Sequence, residues 1–320
     1  MKTLLALLAF ALLAPAASDT LAFGPKEGTK LEKTFDMHMQ LEKRSMTMSI
    51  GGHELPAEMT DDAVMDMDKK RHVVVVDEYE KLGDGKPLAL VRHFTALSDV
   101  DVQKTQMVGM PEPKEEKKEK ESKLLDKQVR FHWNAEKARF DKEWVGDEAD
   151  AELLEKLKED MDLRGILPEK AVAEGDTWKI DLKEFGDLLG PGGNLGLSEK
   201  EDDNQFEDNL EGEATCTYKG VKEVDGRKLA RIATVCKATS SMKEEKEDGP
   251  KIDMHFKLEL EGEFLWDVEA HHLASYSIEG TVTADMDMSM DLDIQGQQHA
   301  LEMHVELGGT MEVGGEFTQP

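Results

Sequence analysis

Residues 284–307 read ADMDMSMDLDIQGQQHALEMHVEL, and this stretch decides the fold class. Met286, Met288, Met290, Leu292 and Ile294 alternate with Asp285, Asp287, Ser289, Asp291 and Asp293. A period of two puts the apolar set on one face of a β-strand and the polar set on the other. Gln295-Gly296-Gln297-Gln298 then reads as a two-residue hairpin loop, with Gly296 at the first central position as a type II′ turn requires. That loop predicts Leu292 opposite Leu301, Met290 opposite Met303, Met288 opposite Val305 and Met286 opposite Leu307. Every apolar residue meets an apolar partner. On the other face, Asp291 falls opposite Glu302, Asp287 opposite Glu306, and Ser289 opposite His304.

The same rhythm extends through most of the chain. Ile252 to Val268, Leu273 to Ile294 and Ala300 to Val313 form a meander of long strands. Phe35, Met37, Met39 and Leu41 share a strand face. Val73 to Tyr79 and Leu88 to Val102 flank Gly83-Asp84-Gly85, and Val129 to Trp133 and Ala138 to Trp144 flank Asn134 to Lys137. One segment breaks the pattern: Asp147 to Met161 carries Leu153, Leu154, Leu157 and Met161 at helical spacing, with Asp147 placed as the cap. Glu112 to Lys123 is almost entirely Lys and Glu, and Gly190 to Gly212 is Gly-rich and then acidic. Both read as solvated insertions. The fold class is mainly β: a long antiparallel sheet curled into a half-barrel with one covering helix, the alternative being a two-sheet β-sandwich. Tyr79 … Asp84-Gly85-x-x-Leu88-Ala89 is echoed by Tyr218 … Asp225-Gly226-x-x-Leu229-Ala230, and Trp133-Asn134-x-Glu136 by Trp266-Asp267-x-Glu269. Residues 19–320 are therefore expected to form a single domain of two fused meanders, 19–146 and 176–320, joined by a helical segment over 147–175.

Composition narrows the function. The 320 residues hold 69 acidic and 40 basic side chains, a net charge of −29, which gives no general attraction for nucleic acid or anionic membrane. With 34% charged and 39% hydrophobic residues, the chain is not a multispanning helical membrane protein. Lys2, the apolar run Leu4 to Leu13 and Ala14-Pro15-Ala16 give residues 1–18 the form of a signal peptide. The protein is expected to be exported, periplasmic or secreted, and soluble once that segment is removed. No Gly-x-Ser-x-Gly, His-Glu-x-x-His, zinc-spaced cysteine cluster or Rossmann glycine pattern occurs, so no enzyme is expected.

Export permits a disulfide between the two cysteines, Cys216 and Cys236. A loop centred on Gly226 sets them opposite, whereas a two-residue loop at Asp225-Gly226 sends them to opposite faces. The bridged register is the expectation. Eighteen methionines recur as Met-x-Met at Met37/Met39, Met46/Met48, Met65/Met67 and Met286/Met288/Met290. Ordinary sheet core accounts for such a face. A soft wall for an apolar small molecule or lipid also does, with Met37, Met39, Met286, Met288, Met290 and Met303 as its residues. Thioether capture of Cu(I) is disfavoured, because His38, His255 and His304 adjoin methionines in sequence and point the other way. No cofactor is implied beyond Ca²⁺, which cross-strand pairing of Asp287, Asp291, Glu302 and Glu306 would hold. A solvated acidic face is the simpler account of those four.

The Gly175-Asp176-Thr177-Trp178 lead into a strand, the Val224-Asp225-Gly226-Arg227 hairpin and the Trp266-Asp267-x-Glu269 turn resemble uncharacterised exported β-rich bacterial proteins. The shape is similar to lipoprotein-carrier half-barrels. The resemblance implies a fold and a compartment and brings no catalytic residues. Together these readings point to an exported, non-enzymatic carrier of an apolar ligand. The alternative is an envelope or extracellular structural protein whose acidic face binds Ca²⁺ or a cationic partner.

Overall fold

The computed structural model describes residues 18–106, 112–146, 151–197, 206, 209–245, 249–294 and 297–320. The signal-peptide reading therefore lies outside the described residues, apart from Ser18. The first meander runs β1 (Lys30–Ile50), β2 (His53–Glu54), β3 (Val64–Gly83), β4 (Lys86–Gln106), β5 (Lys114–Glu121), β6 (Gln128–Asn134) and β7 (Arg139–Trp144). Helix α1 (Ala151–Glu155), β8 (Thr177–Ile180) and helix α2 (Leu182–Leu189) follow. The second meander is β9 (Glu211–Val224), β10 (Arg227–Glu245), β11 (Lys251–Asp267), β12 (His272–Ile294) and β13 (Gln297–Thr318). All strands join one antiparallel sheet in the order β7-β6-β4-β3-β1-β13-β12-β11-β10-β9-β8, with β2 added to β1 and β5 to β4. The sheet curls without closing, so the half-barrel holds and the two-sheet sandwich does not.

The turns follow from their residues. Asp84-Gly85 and Asp225-Gly226 are all left-handed, with φ of 53°, 71°, 51° and 78°, which the primed hairpin turns demand. Asn134 Oδ1 accepts from the amides of Glu136 and Lys137, and Asp267 Oδ1 accepts from those of Glu269 and Ala270. Each turn ends in a left-handed residue, Ala138 or His271. The sequence echo thus corresponds to repeated local geometry.

Curling brings neighbouring backbones close at two glycines of the central strands. A Cβ on Gly280 would lie 2.0 Å from the Glu259 carbonyl oxygen, and one on Gly309 would lie 1.8 Å from that of Gln40. Neither position has room for a side chain. Gly280→Ala is expected to cost about 2–3 kcal/mol in urea unfolding, through forced backbone displacement. A loss below about 0.5 kcal/mol would show that the strands separate freely there.

The inner face is buried against itself and against the segment linking the meanders. That segment departs from the expected covering helix. Residues 147–150 lie outside the described set, α1 spans only Ala151–Glu155, and its Leu153 and Leu154 are only partly buried against the core. Beyond it the backbone bonds to another loop: the Lys158 amide donates to the Gly192 carbonyl, and the Asn194 amide to that of Lys156. These tertiary bonds replace the helical ladder, while Leu157, Met161, Leu163 and Ile166 still reach the core. Helix α2 supplies the regular cover, with Asp181 capping Lys183 N and Phe185, Leu188 and Leu189 buried at helical spacing.

The two charged insertions also need correction. Residues 114–121 form β5, an exposed strand on the overhanging edge of β4, with ion pairs Lys114–Glu116 and Lys117–Glu119 along it. The unpaired ladder of β4 supplies the backbone partners that an isolated Lys/Glu run lacks. Within 190–212, Leu195 and Leu197 are buried in the core; residues 198–205, 207 and 208 lie outside the described set.

Cys216 and Cys236 are free thiols, not a bridge. The hairpin closes on Asp225-Gly226, and a bulge between Ala230 and Ile232 then restores both cysteines to the inner face. Cys216 faces Thr234 and Cys236 faces Ala214, so the two sit diagonally. Burial pushes the thiols up, to about 11 for Cys216 and about 12 for Cys236.

Candidate functional site

Strand alternation and register sort the inner face into two unlike ends. At one end, a cross-strand row reads Met46, Val305, Met286, Met254 and Met242 on β1, β13, β12, β11 and β10. The next row reads Met48, Met303, Met288, Ile252 and Glu244 on the same strands. Two adjacent rows thus place seven thioethers on five neighbouring strands. Met46, Met286 and Met303 are buried, while Met48, Met242, Met254 and Met288 are half-exposed. Met290 continues the patch opposite Leu301. A depression of about 850 Å³ opens at this end; its lining is mostly polar and charged, with Met48, Ile252, Met288 and Met303 as its apolar part.

Four of the six sequence-selected methionines, Met286, Met288, Met290 and Met303, are therefore brought together. Met37 and Met39 are not: they face Val313 and Met311, and Met311 is about 27 Å along β13 from Met303. Met242 and Met254 belong to the patch, but only the register shows it, because each stands alone in its stretch of sequence.

The other end is aromatic and locked by ions. Phe35 packs on Phe317 at 5.5 Å, Phe264 on Tyr276 at 5.8 Å, and Phe23 on Tyr79 at 5.8 Å. Among them Lys33 Nζ lies 2.7 Å from Asp77 and 2.8 Å from Asp162. Arg92 grips both Asp77 oxygens at 2.7 Å and donates to the carbonyls of Lys158 and Glu159 at 2.9 and 2.7 Å. Tyr79 donates its hydroxyl to Asp162, and Arg164 Nη2 meets Glu159 Oε2 at 2.6 Å. Burial opposes ionisation of Asp77, yet the Arg92 and Lys33 charges overcome it and hold the carboxyl below its ordinary value. Burial pushes Glu159 up to about 7 in spite of Arg164. Three cations, Lys33, Arg92 and Arg164, interleave with the acidic groups Asp77, Asp162 and Glu159. The cluster is closed to water and presents no open face to a substrate; it ties residues 158–164 to β1, β3 and β4.

On the outer face the final hairpin differs from its expected register. Ile294 faces Gln297, and residues 295 and 296 lie outside the described set. Met290 faces Leu301, Met288 faces Met303 and Met286 faces Val305. A pairing shifted by two residues keeps every side chain on its face and leaves apolar partners matched. The carboxylates are re-paired. Asp287 faces His304, Asp285 faces Glu306, Ser289 faces Glu302 and Asp291 faces Ala300. The proposed Ca²⁺ set of Asp287, Asp291, Glu302 and Glu306 is therefore not made of opposed pairs. Ser45 and Ser49 donate to Glu306 and Glu302 at 2.8 and 3.1 Å, and His304 Nδ1 lies 2.8 Å from Asp287.

Among the described residues, no helix is long and apolar enough to cross a membrane. No family model and no curated protein matches this chain. Among solved structures, it is similar to a Pseudomonas aeruginosa FadL homologue at 8% identity and a TM-score of 0.20, over 91% of this chain and 90% of that one. Likeness at that level carries no weight for function.

Proposed function

We propose that this protein is an exported, non-enzymatic binding or carrier protein that holds an apolar small molecule or lipid chain at the methionine end of its sheet. The observation that supports this reading is the pair of adjacent rows, seven methionines on five strands, four of them partly exposed and three buried beneath, while the opposite end is sealed. Thioether side chains are flexible and polarizable, so they repack around guests of varied shape. The absence of catalytic motifs from the sequence agrees with a binding role.

Fluorescence titration with cis-parinaric acid tests the reading. Wild-type protein is expected to bind it at micromolar concentration, and a Met48→Lys, Met288→Lys double variant to lose at least tenfold in affinity at unchanged melting temperature. Met37→Lys, at the distant position, is expected to bind as wild type does. No binding by wild type, or equal losses at both positions, would overturn the assignment.

A further inference from the structure

The corrected register places a histidine among the carboxylates of the outer face, and we infer that Asp285, His304 and Glu306 form a binding site for a divalent transition metal of the zinc class. This inference concerns the face opposite the methionine rows and does not depend on the apolar-ligand reading.

Asp285 on β12 stands directly opposite Glu306 on β13, and His304 is two residues from Glu306 on the same face. One ligand atom from each of the three lies within 4.8 Å of the other two. Donors on a tetrahedral zinc at about 2.0–2.2 Å are about 3.4 Å apart, so the three donors would draw together by up to about 1.4 Å on binding. The imidazole is already oriented: its Nδ1 meets Asp287 Oδ1 at 2.8 Å, which leaves Nε2 as the second ring nitrogen. A carboxylate behind a ligating histidine is the arrangement that fixes ring and tautomer in metal sites.

Charge favours a cation here. Asp285 opposes Glu306, and one row along, Asp287 opposes Asp253. Like charges directly opposed weaken a ladder. Among the described residues Lys243 neutralises Asp253, whereas no lysine or arginine pairs with Asp285 or Glu306. The donors select the ion. One imidazole with two carboxylates suits Zn²⁺, while Ca²⁺ takes six to eight oxygens and gains nothing from a ring nitrogen. Three protein ligands leave a fourth position for water or for His255, which faces Asp285 from β11.

Calorimetric titration of the full chain with ZnCl₂ and, separately, CaCl₂ in matched ionic strength tests this, with Co²⁺ absorption as the geometric readout. One Zn²⁺ is expected to bind at micromolar concentration, at least tenfold tighter than Ca²⁺, with a tetrahedral Co²⁺ spectrum. His304→Gln and Asp285→Asn, both on the solvent face, are expected to weaken Zn²⁺ at least tenfold without lowering the melting temperature of the metal-free protein. Glu302→Gln is expected to leave it unchanged. Equal Zn²⁺ and Ca²⁺ affinities, no binding, or a Zn²⁺ site indifferent to His304→Gln and Asp285→Asn would overturn the inference.

Discussion

Arg92→Met is expected to destabilise the protein by about 3–5 kcal/mol in urea unfolding, among the largest losses any single substitution here would give. The guanidinium makes four bonds, two to Asp77 and one each to the Lys158 and Glu159 carbonyls. Methionine fills the volume but leaves Asp77 with Lys33 alone and strips two buried carbonyls of their donor. An uncompensated buried carboxylate is costly, and the orphaned carbonyls add to it. Arg92→Lys keeps the charge without the planar fork, so an intermediate loss is expected. Hydrogen exchange gives the local readout: amides of the linking segment around 157–166 are expected to lose protection first. A loss under 1 kcal/mol would show that apolar packing alone seats the segment.

Stability is expected to fall as pH rises from 4.5 to about 7, and Glu159 is the reason. Burial raises its folded-state pKa to about 7 from an ordinary 4.5, against the pull of Arg164. Within that window the folded protein holds a proton on this carboxyl that the unfolded chain has released, so rising pH favours unfolding. The full effect is on the order of 3 kcal/mol. The charges around it are Arg92, Arg164, Asp160, Asp162 and Lys33, of which Arg164 also meets Asp160 at 3.0 Å. Glu159→Gln therefore keeps Arg164 partnered. Compared with wild type, it is expected to gain about 2–3 kcal/mol at pH 8 and less than about 0.5 kcal/mol near pH 4.5. Other carboxylates titrate in both proteins, so the difference between them is the measurement. Equal pH slopes would refute the assignment to Glu159.

The sequence carried the strands and their faces, because burial of one side of a sheet imposes a period of two that nothing else mimics over twenty residues. It could not carry register. Met288 finds an apolar partner whether opposed to Val305 or to Met303, and only the second is realised. The opposed pairing expected of the Ca²⁺ set failed for that reason, and the thiol bridge failed because the hairpin closes on Asp225-Gly226 and, after the bulge at Ala230/Ile232, leaves the cysteines diagonal instead of opposite. The ion-locked end did leave a trace. Lys33 is in phase with Leu31 and Phe35, Asp77 with Val75 and Tyr79, and Arg92 with Leu90 and Phe94. A charge in step with an apolar face, on three strands at once, marks a buried pairing. Its partners Glu159 and Asp162 lie in irregular chain, where no period points anywhere. The expected helix at 147–161 was likewise a real apolar stripe, redirected after Glu155 by backbone bonds to Gly192 and Asn194.

The seam between the two meanders has a consequence for the order of assembly. It is the β1·β13 ladder, which joins Ile50 to Leu301 and Glu32 to Thr318, partners about 250 to 290 residues apart. During synthesis at about 5–20 residues per second, β1 waits on the order of 15–50 s for the strand that completes it. Through that interval its 21 residues present a bare sheet edge with four methionines on the inner side. Until β13 arrives, that edge is open to pairing with the wrong strand.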